Sequence, residues 1–128
     1  MKNIVVSIQN VLLAESVILA LKKTGNFRVE RVLQDRISDT EKICESVHAE
    51  LLLMEVTRTK DTTLEKRLLI CKNVKRKISD CKIALLCDEN ADPELADQVK
   101  QAKQLRQIDA FFYESVTSDY LTAALDAL

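Results

Sequence analysis

Short apolar runs alternate along this chain with longer stretches of helical periodicity, and that alternation constrains the fold more than any other feature. The run at 3–8, NIVVSI, is brief and β-branched, as expected of a strand buried on both faces. Leu13, Val17, Ala20 and Leu21 then recur at i, i+4, i+7 and i+8, the stripe of an amphipathic helix. Lys22 and Lys23 sit in its last turn and Gly25 stops it. The segment 27–33, FRVERVL, mixes charged and apolar residues in the manner of an edge strand. Ser38 and Glu41 form a capping-box pattern ahead of a helix carrying Ile43 and Val47.

The second half repeats the theme. ELLLMEV (50–56) is a fully apolar strand with a carboxylate near its end, Glu55. Thr62 and Glu65 repeat the capping-box spacing before a helix whose face is Leu64, Leu68, Cys71, Val74 and Ile78. KIALLC (82–87) is the next buried strand. Asp92 followed by Pro93 supplies an N-cap side chain and a first-turn proline. DAFFY (109–113) is a short aromatic strand. Leu121, Ala124, Leu125 and Leu128 mark a last helix capped by Thr117 or Ser118.

Strands buried on both faces and joined by helices require a parallel sheet covered on both sides. The expected fold is an α/β, flavodoxin-like (βα)5 doubly wound sheet of strand order 2-1-3-4-5, filling one domain over residues 1–128. The polar strand at 27–33 then falls on an edge. In such folds ligands bind beyond the C-terminal ends of the strands, near the switch point between the first and third. The residues at those tips are Ile8, Gln9 and Asn10; Glu55, Val56 and Thr57; Cys87 and Asp88; and Glu114 and Ser115.

Composition removes several functions. With one glycine, Gly25, the chain has neither a P-loop nor a dinucleotide fingerprint, both of which need several glycines for backbone N–H groups to approach an anion. With one histidine, His48, on a helix among polar residues, a Ser-His-Asp or Cys-His set is poorly supported. Cys44, Cys71, Cys81 and Cys87 contain no CxxC pair, so no zinc site is expected, and Cys44 and Cys71 fall on apolar stripes as buried thiols. A net charge of -1 argues against nucleic-acid binding by this segment. No apolar run reaches membrane-spanning length and no secretory signal pattern opens the chain, so a cytoplasmic location is expected.

Together these segments resemble the receiver domain of two-component response regulators, over essentially the whole chain. Receiver domains carry two acids after the first strand, an aspartate ending the third, a Ser or Thr after the fourth and a lysine after the fifth. The acids hold Mg²⁺, the aspartate takes the phosphoryl group, and the lysine and hydroxyl engage it. In VVSIQNVLLAES the acid pair falls on Ile8 and Gln9, or one residue on, at Gln9 and Asn10. ELLLMEV puts Glu55 at the phosphoacceptor position, KIALLC puts Cys87 at the hydroxyl position, and IDAFFYESV puts Glu114 and Ser115 where Lys-Pro would stand. All five chemical positions differ.

The resemblance therefore implies a degenerate pseudo-receiver: not an enzyme, with no catalytic residue, cofactor or metal of its own. It implies signalling through protein contacts without aspartyl phosphorylation. The partners implied are a second copy or an output domain on the face of the fourth helix, fifth strand and fifth helix, and a histidine kinase or other signalling protein. The chain suits either a free-standing domain or the N-terminal part of a longer transcription regulator. Glu55 itself has three readings: a mimic of the phosphorylated state, a local structural acid paired with Arg58, Lys60 or backbone N–H groups, or a member of a new ligand site with Asp88 and Glu114. Cys87 reads as an inert thiol or a redox sensor. The alternative function is a small-molecule or cation sensor, or a residual enzyme, in the crevice at the strand tips.

Overall fold

Residues 1–128 are described by a computed structural model. The strands are β1 (Lys2–Ser7), β2 (Phe27–Arg31), β3 (Leu51–Glu55), β4 (Lys82–Cys87) and β5 (Ala110–Tyr113). They form one sheet in the order β2-β1-β3-β4-β5, every neighbouring pair parallel. This is the flavodoxin-like order expected from the sequence, with the polar β2 on an edge. The helices are α1 (Val11–Thr24), α2 (Thr40–Val47), α3 (Leu64–Lys77), α4 (Pro93–Gln104) and α5 (Ser118–Asp126).

Side chains alternate across the sheet and so divide the core in two. Ile4 and Val6 of β1 and Leu51 and Leu53 of β3 meet α1 and α5 through Val17, Leu21, Leu121 and Leu125. Val5, Leu52, Met54, Ile83 and Leu85 face the other way, against Cys44, Cys71, Val74, Leu95 and Val99 of α2, α3 and α4. Burying each such aliphatic side chain contributes about 1.5–3 kcal/mol, which is the main reason this register is held.

Helix ends follow the local chemistry. Asn10 caps α1, its side chain accepting from Leu13 N at 3.1 Å, and Gly25 ends the helix in the left-handed region at φ 74°. Asp92 caps α4 by accepting from Leu95 N at 3.1 Å, and Thr117 caps α5 by accepting from Tyr120 N. Two expected caps are different. Ser38 does not open α2, because residues Gln34–Asp39 form a 3₁₀ turn and the helix begins at Thr40. Thr62 does not cap α3 either. It is fully buried with its hydroxyl committed to Thr57 and Gln9, and Thr63 caps instead, accepting from Lys66 N.

Candidate functional site

The switch point opens between the tips of β1 and β3, and Glu55 is the last residue of β3. The residue is only 4 % exposed. The Oε1 atom accepts hydrogen bonds from Gln9 N at 3.0 Å and Asn10 N at 3.2 Å. Those amides lead into α1, so the carboxylate sits at the positive end of a helix, where negative charge is stabilised. Neither Arg58 nor Lys60 pairs with Glu55. Arg58 reaches Asp92 instead, through Nε at 2.6 Å and Nη2 at 3.2 Å. That hydrogen-bonded guanidinium holds the Asp92 carboxyl below the usual carboxylate range.

The loop that supplies the two amides is itself tied down. Gln9 accepts at Oε1 from the Thr62 hydroxyl at 2.9 Å, and its carbonyl accepts from the Gln34 amide. Beneath it lies a side chain that the sequence reading left unassigned, Arg67 of α3, fully buried. Its Nε donates to the Glu55 carbonyl, Nη1 to the Ser7 hydroxyl and Nη2 to the Ser7 carbonyl, each at 2.9 Å. The Ser7 hydroxyl also meets that of Thr40 at 3.1 Å, and Thr40 donates on to Ile37 O. Burial pushes the Arg67 guanidinium down to about 10, with the Glu55 charge acting in the opposite direction. A buried cation with three donor bonds and a nearby carboxylate thus joins the ends of β1 and β3 from below. The sequence did hold a signal: Arg67 lies three residues after Leu64 and four before Cys71, on the buried stripe of α3.

The opposite wall is acidic. Glu114 follows β5, and its N–H donates to Cys87 O at 2.9 Å. Partial burial, then the charges of Glu55, Asp88 and Glu89, push its carboxyl up to about 7. Asp88 Oδ1 accepts from the backbone N–H of Asn90 and Ala91, both at 3.1 Å. Ser115 donates to Glu89 at 2.6 Å. The resulting cleft holds about 330 Å³, with Asn10, Glu55, Thr57, Asp88 and Glu114 on its walls.

Two expected pocket positions do not open onto this cleft. Ile8 is packed into the apolar layer under α1 and α5, and Cys87 into the layer under α2, α3 and α4. Strand alternation turns both side chains into the core rather than toward the tip. Gln9 reaches the site through its N–H, while its side chain turns toward Thr62. The cysteines are all buried free thiols. Burial raises each above its ordinary value, Cys71 to about 12, Cys81 to about 11 and Cys87 to about 12, the last pushed up further by the charges of Glu89, Glu114 and Asp88.

A receiver's Mg²⁺ does not fit these residues. A hard cation needs several free oxygens. One Glu55 oxygen already accepts two amides, positions 8 to 10 carry no acid, and one Asp88 oxygen closes its own turn. No group of three or more His, Cys, Asp or Glu side chains could hold a metal ion. No helix is long and apolar enough to cross a membrane.

No protein-family model matches the sequence, and no curated protein matches it either. The fold, in contrast, is widely shared. A CheY-like receiver domain protein from Methanospirillum hungatei superposes with a TM-score of 0.79 at 12% identity, covering 99% of this chain and 92% of its own. The response regulator TrrA from Thermotoga maritima, in complex with Mg²⁺ and BeF, gives 0.71 at 17% identity, covering 99% of this chain and 98% of its own. A member of a family of streptococcal redox sensors evolved from two-component response regulators gives 0.78 at 19% identity, covering 99% of this chain and 50% of its own. At these identities the likeness establishes the fold, which is that of the CheY-like receiver domains.

Proposed function

We propose that this chain is a pseudo-receiver: a signalling domain that works through protein contacts and does not use Mg²⁺-dependent phosphorylation. The observation that carries this reading is the Glu55 carboxylate bonded to the backbone N–H groups of Gln9 and Asn10. In a phosphorylated receiver that position is linked to neighbouring acids through a cation. Here the link is direct: Oε1 of Glu55 is committed to two backbone amides, with no acid at positions 8 to 10 to bring in a cation. The added charge would also face Glu114, where the receiver pattern has a lysine.

Redox sensing of the kind ascribed to the streptococcal proteins is a poorer account of these four cysteines. A reactive thiol needs exposure and a lowered pKa, and all four are buried with raised values. The contact surface we favour is the face of α4, β5 and α5. Phe111 and Tyr113 are half-buried there and Tyr120 is 61 % exposed. Its occupant would be a second copy or an output domain.

Incubation with acetyl phosphate and Mg²⁺, read by intact mass, tests the reading. The expected result is an unmodified chain. A phosphoryl adduct mapped to Glu55 would contradict it.

A further inference from the structure

A second face of the molecule, away from the acidic cleft, carries a basic groove. It runs along α3 to the turn that follows α4 and encloses about 1040 Å³. The groove exists because α3 packs closely on α2 and only sparsely on α4. Its floor is apolar: Leu68, Leu69 and Cys71. Leu69 is 59 % exposed although it stands in the middle of a helix. Lys60, Lys66, Lys72, Lys75 and Arg106 surround that floor, with Glu65 as the one acid. Lys66 meets Asp61 at 3.7 Å and Lys75 meets Asp109 at 2.5 Å, while Lys60, Lys72 and Arg106 have no acidic partner. For a chain of net charge -1, this is a marked concentration of positive charge.

Arg106 adds a second observation. The turn ending α4 bonds Gln107 N to Ala102 O and Arg106 N to Lys103 O, both at 3.0 Å. In this turn the residue after the cap adopts the left-handed conformation, a place where glycine is strongly favoured. Arginine occupies it at φ 61°, and its side chain lines the groove. The position therefore adds a third cation without an acidic partner to the groove, where glycine would have added none.

We infer that this groove docks an acidic amphipathic helix of a partner protein. The partner's apolar edge would lie on Leu68 and Leu69, and its carboxylates would meet Lys60, Lys72 and Arg106. The charge complementarity specifies the acids and the exposed leucines specify the apolar edge. A nucleic acid suits the groove less well, since none of its lining residues is an aromatic on which a base could stack. A flat bilayer suits a concave surface less well than a helix does. This inference stands on a different face from Glu55 and is independent of the reading of the cleft.

A displayed library of random helix-forming peptides, panned on the full chain and counter-selected on the double variant Leu69→Ser/Lys72→Glu, tests it. Both substitutions are on exposed side chains, and unchanged far-ultraviolet circular dichroism checks the fold. The expected survivors carry Asp or Glu together with Leu, Ile or Phe at i, i+3 or i+4, and i+7. A synthesised survivor should shift the amide resonances of Leu69, Lys72 and Arg106, bind the double variant about tenfold or more weakly, and weaken with salt. Arg106→Gly should weaken it as well, without lowering the melting temperature. Failure to enrich any peptide, enrichment of neutral or basic ones, or equal binding to the variants would overturn the inference. So would amide shifts at the groove produced by phosphatidylserine vesicles or a DNA oligonucleotide in the peptide's place.

Discussion

Glu55 ends β3, and its carboxylate reaches across the gap to two amides of the β1–α1 turn. Glu55→Gln keeps the shape and removes the charge. Losing charge-assisted bonds to two amides should cost about 1–3 kcal/mol in urea denaturation. Glu55→Asp shortens the side chain by one methylene and withdraws the carboxylate from the two amides. It should also destabilise, and it should not gain phosphorylation by acetyl phosphate, because Gln9 and Asn10 offer no acid for Mg²⁺. Glu114 gives a pH test. Its carboxyl titrates near 4.5 when unperturbed and at about 7 in the folded chain. Between those values the folded state keeps the proton and the unfolded state releases it. The stability linked to that proton is complete below the lower value and is lost as pH rises through about 7. Glu114→Gln cannot ionise. Its melting temperature should exceed that of the wild type by more at about pH 8 than at about pH 4, and a constant difference would contradict the assignment.

At the scale of the element, α3 holds the site from below. Arg67 stands on the otherwise apolar buried stripe of α3 and makes of it a polar bracket on Ser7 and Glu55. Arg67→Met leaves the two carbonyls and the Ser7 hydroxyl without these donors, and should cost about 3–5 kcal/mol in denaturant unfolding. Elements of this kind are only half legible in the sequence. Periodicity located α3 and its face because Leu64, Cys71 and Val74 recur at helical spacing. It did not distinguish a buried arginine from a solvated one, since burial of a cation depends on acceptors from β1 and β3 that lie far away in the chain. The same limit explains the caps. Asp92 and Thr117 act locally and were readable, whereas Thr62 was drawn into a tertiary network with Gln9 and Thr57 that no local pattern records.

At the scale of the whole molecule, the alternation of strands and helices made a parallel, doubly wound sheet legible, and the expected flavodoxin-like order agrees with the chemistry of its strands. The mixed β2 suits an edge, and it pairs only with β1. The site was legible as a place but not as a set of contacts. The sequence located Glu55, Asp88 and Glu114 at strand tips, while the direction of Ile8 and Cys87 depended on a one-residue question of alternation. The molecule that results keeps the receiver fold and closes its switch point with a carboxylate-to-amide clamp above a buried arginine. The most direct test is a titration with Mg²⁺ and beryllofluoride, followed by the ¹⁵N amide resonances of Gln9, Asn10, Glu55 and Thr57. The clamp predicts that these resonances stay where they are. Saturable, Mg²⁺-dependent shifts centred on Glu55 would contradict it.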